Sequence, residues 1–145
     1  MSMEEDTTIE ILKIQGQDNI LYQLVAPLIM NPDVLRYNNG YPFKTSENFQ
    51  WYIAVSKSQN VLGFIPLEMR NKKKCIINNY FATDDCHDNI LSLLLHEIIC
   101  DFQHARNSSI LLTAIVQTQH QALFKTLGFK VIQHWKLYQK MQKEV

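Results

Sequence analysis

A mixed α/β fold, with a central and mostly antiparallel sheet flanked by helices, is predicted by three features of the chain. The runs Phe49 to Val55 and Val61 to Met69 have strand patterning with turn residues between them. Ile90, Leu91, Leu94, Leu95, Ile98, Ile99 and Phe102 recur at helical spacing, and Ile110 to Val116 is a continuous apolar run of strand length. With 145 residues, 46% of them hydrophobic and 19% charged, the chain suits one domain over residues 1–145 with a sizeable core.

Thr8 to Ile14 mixes β-branched and alternating residues and reads as a first strand. Asp18 caps a helix whose apolar residues run from Ile20 to Ile29, with Pro27 kinking or ending it and Pro32 forbidding a long continuation. Tyr37 to Ser46 has the composition of a surface loop with aromatics embedded in it. Phe49 to Val55 then alternates as a half-buried strand, and Ser58, Gln59 and Asn60 turn it back into Val61 to Met69. Within that second strand, Gly63 and Pro66 predict a bulge or an edge position. Arg70 to Lys74 forms the basic tip of another hairpin, and Cys75 to Ala82 is its returning strand.

Asp84 to Asn89 is polar and leads into the amphipathic helix Ile90 to Phe102. Ser108 and Ser109 separate that helix from the buried strand Ile110 to Val116, the pattern of a parallel crossover. A short helix around Ala122, Leu123, Lys125 and Leu127 stops at Gly128, which accommodates a left-handed conformation. Lys130 to Trp135 and Leu137 to Met141 supply the last strands, the latter edged by lysines.

Composition excludes several classes of function. Fourteen Lys and Arg balance fourteen Asp and Glu, so no net field draws nucleic acid or an anionic membrane. Three cysteines without a paired spacing, and no leader before them, predict a reducing, cytoplasmic setting. No apolar run approaches the roughly 20 residues that span a bilayer. Trp51, Tyr52, Trp135 and Tyr138 lack interleaved basic residues and read as core rather than as base-stacking platforms. His96, Cys100 and His104 share a helix face at a spacing able to hold a metal, but no further ligands lie nearby in sequence, so no metal site is assigned. Cys86 beside His87 and Asp88 reads as a surface thiol, because adjacent side chains rarely face one another. Monomer and dimer both suit this composition.

The stretch Ala122, Leu123, Phe124, Lys125, Thr126, Leu127, Gly128, Phe129 resembles the signature of the GNAT superfamily of N-acetyltransferases, in which an alanine, an aromatic and Leu-Gly-Phe close the cofactor-side helix. Phe81 to Leu95 has the spacing of that family's acyl-CoA-binding strand, loop and helix, and Tyr138 to Met141 resembles its closing strand. The resemblance covers nearly the whole chain and implies a three-layer fold that moves an acetyl group from acetyl-CoA to an amine. It implies that Phe81, Ala82, Thr83, His87, Asp88, Asn89, Gln119 and Phe124 hold the cofactor, Gln119 standing where the family usually has asparagine. It also implies that backbone N–H groups near Phe81 to Thr83 polarise the acyl carbonyl, and those of His87 to Asn89 meet the pyrophosphate. Glu68 is the candidate base, and Tyr138 or Tyr80 the candidate acid, if the fold brings either near the sulfur.

Three departures accompany the resemblance. The family's basic residue and glycines fall at Cys86, His87, Asn89 and Leu91; Phe124 occupies the place of a tyrosine; and Asp84, Asp85 and Asp88 crowd the helix start. They favour, as the alternative, a GNAT-fold binding or regulatory module without transferase activity. The carboxylates would also repel pyrophosphate. Replacing Asp85 and Asp88 together with Asn is therefore expected to tighten acetyl-CoA binding, measured by titration at low and moderate salt, and an unchanged affinity would sink the electrostatic account.

Overall fold

The sheet grows from the chain's alternating segments, and the computed structural model describes it over residues 8–38, 42–83, 87–105 and 110–145, with only the backbone of residues 87 and 88. In chain order the elements are β1 (Ile9–Gln15), α1 (Asn19–Ile29), α2 (Pro32–Tyr37), β2 (Phe49–Ser56), β3 (Val61–Asn71), β4 (Lys74–Ile77) and β5 (Phe81–Ala82). Then come α3 (His87–His104), β6 (Leu111–Gln117), a 3-10 turn (Thr118–His120), α4 (Gln121–Thr126), β7 (Lys130–His134) and β8 (Tyr138–Glu144). The strands lie in the order β1-β2-β3-β4-β6-β8-β7, with β5 on β3. Only β4 and β6 run parallel among the described pairs, joined through α3 as the sequence predicts. Among the described residues no helix is long and apolar enough to cross a membrane.

Local chemistry sets the helix boundaries. The Asp18 side chain accepts the Ile20 N–H at 3.0 Å and caps α1, which runs through Pro27 to Ile29. Pro32 does not simply stop the chain. With Asn31 as cap, it occupies the first turn of α2, where its missing N–H would have had no helical partner, so part of the expected loop is helix. Gly128 ends the α4 segment at φ +97°, the left-handed conformation its sequence position predicts.

Two apolar layers cover the sheet. Leu91, Leu94, Leu95 and Ile98 of α3 pack with Ile65, Leu67, Ile77, Leu112 and Ala114, while Leu21 and Val25 of α1 pack with Trp51, Ile53 and Phe64. Each buried aliphatic side chain of this kind contributes roughly 1.5–3 kcal/mol. Cys75 lies within the α3 layer, where burial pushes its thiol up to about 12 and keeps it neutral. At the layer's margin, Lys13 bridges Glu97 at 3.0 Å and Asp101 at 2.9 Å. The Tyr52 hydroxyl also donates to Asp101, at 2.9 Å, and burial together with this carboxylate raises its pKa.

The Gly63 and Pro66 signals resolve into a bulge and a break. Ala54 pairs with Gly63 but Val55 with Val61, so Leu62 bulges from a strand that is central rather than at an edge. The Met69 N–H bonds to Asn48 O of the β2 side, and by alternation the Pro66 nitrogen faces the opposite side. There β4 pairs only from Leu67 onward and β5 only with Gly63 and Phe64. Proline thus sits where a ladder partner is missing. The expected single strand Cys75 to Ala82 is in fact interrupted at residues 78–80.

Candidate active site

The sheet opens where β4 stops. Parallel pairing of β4 with β6 ends at Ile77 with Ala114, after which β5 pairs with β3 alone and the end of β6 pairs with β8 alone. The Thr83 N–H bonds to Leu62 O at 2.9 Å, so alternation along the strand turns the Ala82 N–H away from β3 and toward the opening. Of the backbone donors expected from Phe81 to Thr83, that of Ala82 is the one turned toward the opening.

Side chains occupy main-chain hydrogen-bonding positions along the opening. The buried Asn38 carboxamide, from the end of α2, donates to Tyr80 O at 2.9 Å and accepts the Tyr80 N–H at 3.4 Å. The Tyr80 hydroxyl accepts the Gln117 N–H at 3.1 Å and lies 2.7 Å from His120 Nδ1. Burial holds that phenol far above its usual range, so it stays protonated. Aromatic rings close the back of the opening: Tyr37 stacks on His120 and meets Tyr80 and Phe81 edge-on, with centroids 6.0, 6.1 and 5.3 Å apart.

Two cavities flank residues 78 and 79. The first, about 320 Å³, is lined by Asn38, Asn78, Asn79, Ile115, Trp135 and Tyr138. The second, about 410 Å³, carries Glu68, Arg70, Lys44 and the same two asparagines. Asn79 is fixed by donating to Pro42 O at 3.1 Å, and Asn78 donates to Glu68 Oε1 at 3.3 Å. One segment therefore forms a wall of both cavities.

The expected site residues distribute unevenly over this geometry. Tyr138, at the start of β8 opposite Gln117, lines the first cavity. Glu68 lines the second and holds Arg70 Nε at 3.1 Å, so the expected base and acid line two cavities that share Asn78 and Asn79. Phe81 is half-buried against Tyr37 and Phe64, and Ala82 is fully buried opposite Gly63. Asn89 is exposed in the first turn of α3. Residues 84–86 and the side chains of His87 and Asp88 lie outside the described residues, and with them the expected phosphate loop.

Phe124 is fully buried between Tyr80 and Phe129, at centroid distances of 5.9 and 5.2 Å. Trp135, read as core, is 44% exposed and walls the first cavity. Gln119 is exposed in the 3-10 turn. The buried amide at this end of β6 is Gln117, on the same strand face as Ile115, and its Nε2 has no partner among the described residues. In the sequence, its one signal is a glutamine that ends a mostly apolar strand. His96, Cys100 and His104 bond along α3, with His104 Nδ1–H donating to Cys100 O at 2.9 Å.

No family model and no curated relative matches the chain by sequence. Solved structures do match it by shape. Escherichia coli ElaA superposes with a TM-score of 0.77 at 10% identity, over 94% of this chain and 99% of that one. A GNAT family acetyltransferase from Elizabethkingia anophelis with acetyl-CoA bound matches with a TM-score of 0.59 at 13% identity, over 94% and 97% of the two chains. The PaiA N-acetyltransferase from Thermoplasma acidophilum, in complex with coenzyme A, matches at 0.62 and 16% identity, over 95% and 99%. The chain has the fold these structures share, two of them acetyltransferases.

Proposed function

We propose that this chain is an acetyl-CoA-dependent N-acetyltransferase whose acyl donor enters the opening between β5 and β6. The observation that carries the reading is the Ala82 N–H turned away from β3 toward the opening, together with the buried Gln117 amide of β6, whose Nε2 has no partner among the described residues, in a chain with the acetyltransferase fold. A buried donor without an acceptor is unfavourable by about 1–3 kcal/mol, which a polar ligand in the gap relieves. The donor supplies an activated acetyl group as its thioester.

Each residue then has a defined task. The Ala82 N–H polarises the acyl oxygen, and the Gln117 Nε2 gives a hydrogen bond to the donor's amide-bearing arm. Backbone N–H groups from His87 to Asn89, at the start of α3, receive the pyrophosphate. Tyr138, at the edge of the first cavity, protonates the departing thiolate. The acceptor amine occupies the second cavity, where Glu68 takes its proton while Arg70 and Asn78 keep the carboxylate oriented. The amine nitrogen bonds to the acyl carbon as the carbon–sulfur bond breaks, and the two proton transfers balance the charge.

Glu68→Gln is expected to lower kcat roughly 100- to 10,000-fold at neutral pH, with the loss shrinking as pH rises and the acceptor amine deprotonates on its own. Steady-state rates against pH, on an acceptor found by screening amines, measure this. A uniform loss at all pH values would remove Glu68 from the proton path. The buried Phe124 ring, which lacks a hydroxyl, favours a second reading in which the chain binds acyl-CoA without turnover. Binding with no acetyl product across the amine screen is its signature.

A further inference from the structure

We propose that Tyr80 is the positioning residue that holds the sheet open, its phenol standing in for a main-chain carbonyl. The argument starts from register. Leu111, which pairs with Lys74, donates its N–H to Lys73 O at 2.8 Å. Carrying that offset past Ile77 and Ala114, the Gln117 N–H would aim at Asn79 O if the two strands stayed together. Instead it bonds to the Tyr80 hydroxyl at 3.1 Å. Paired strands lie about 4.8 Å apart, and a tyrosine side chain reaches about 6.5 Å from Cα to its oxygen, so a phenol in this place keeps the strands from closing.

The pin is fixed at both ends. With the Gln117 N–H accepted, the proposed pin has the hydroxyl give its own proton to His120 Nδ1, 2.7 Å away, with His120 protonated on Nε2. Tyr80 and His120 are 0% and 1% exposed, and Tyr37 and Phe124 pack against the ring. At the strand end of the same residue, Asn38 ties down both backbone groups. Phenylalanine at position 80 would keep the ring but leave the Gln117 N–H and His120 Nδ1 without the hydroxyl.

The ligand of the opening rests on the acetyl-CoA reading above; the pin does not, and the test separates them. In the full chain, Tyr80→Phe is expected to weaken acetyl-CoA binding at least tenfold by calorimetry. A control, Ile98→Val, removes a methylene from the α3 layer away from the opening and is expected to lower Tm while leaving affinity unchanged. Unchanged affinity in Tyr80→Phe, with wild type binding, overturns the positioning role. If wild type itself does not bind, the donor reading fails, and nitrogen-resolved NMR of the unliganded protein decides the pin. Nε2-protonated His120 and a Gln117 amide that exchanges at least tenfold faster in Tyr80→Phe support it. An Nδ1-protonated His120 or an unchanged Gln117 exchange rate overturns it.

Discussion

Ala82→Pro is expected to lower turnover of acetyl-CoA by roughly 100- to 1,000-fold, the usual consequence of removing one donor from a developing oxyanion. The substitution is selective because Ala82 contributes no N–H to the β3 ladder. Thr83 bonds to Leu62, and Ala82 pairs opposite Gly63 with its own N–H turned toward the opening. Proline is tolerated in a strand at a nitrogen that faces away from its partner. Steady-state kinetics reads the effect as a fall in kcat, with circular dichroism confirming an intact sheet. Where the ring itself perturbs packing, an ester at the 81–82 linkage removes the same N–H without added bulk. A variant with wild-type kcat would place the polarising donor elsewhere.

The second large effect falls on stability. Gly63→Val is expected to destabilise the fold by about 3 kcal/mol, because over-filling a packed core forces side chains and backbone apart. A Cβ at Gly63 would lie 2.6 Å from Phe81 O and 2.7 Å from Ile90 Cγ2, too close for either neighbour to remain in place. Relief requires β5 to leave β3 or α3 to lift from the sheet. At about 2–4 °C per kcal/mol for a chain of this size, Tm should fall by about 6–12 °C. Differential scanning calorimetry measures it, and an unchanged Tm would mean that β5 is not held against β3 as described. The two substitutions act on facing residues of one pairing, yet one removes a hydrogen bond donor and the other a close approach.

Much of the architecture is legible locally. Alternation marks β2 and β3, helical spacing marks α3, and the apolar run marks β6 as a strand covered on both faces. Gly128 and the Asp18 cap carry their conformations in single residues. The site is less legible because its defining event is a strand that stops pairing, which depends on neighbours far along the chain. Cys75 to Ala82 reads as one strand by composition, and Pro66 alone carries a local trace of the break across from it. The bond between Tyr80 and Gln117 joins positions 37 residues apart, and Asn38 reaches Tyr80 over 42. No periodicity encodes such meetings.

The same distinction separates Gln117 from Gln119. Both are glutamines at the junction of β6 with the following turn, and a resemblance in spacing selects between them only to within a couple of residues. Burial separates them: Gln119 is exposed, whereas Gln117 is 5% exposed beside the opening. Trp135 leaves its expected core environment, and Phe124 lies deep in the core, for a comparable reason. The interior ring packs behind Tyr80, while the tryptophan in the turn before β8 is left to wall a cavity.

Calorimetric titration of the full chain with acetyl-CoA and with CoA tests the central claim most directly. Saturable binding of acetyl-CoA with a micromolar Kd, about −8 kcal/mol, is the predicted result. No heat of binding at millimolar ligand, from protein shown to be folded by its thermal transition, would contradict the assignment of the opening between β5 and β6 as an acyl-CoA site.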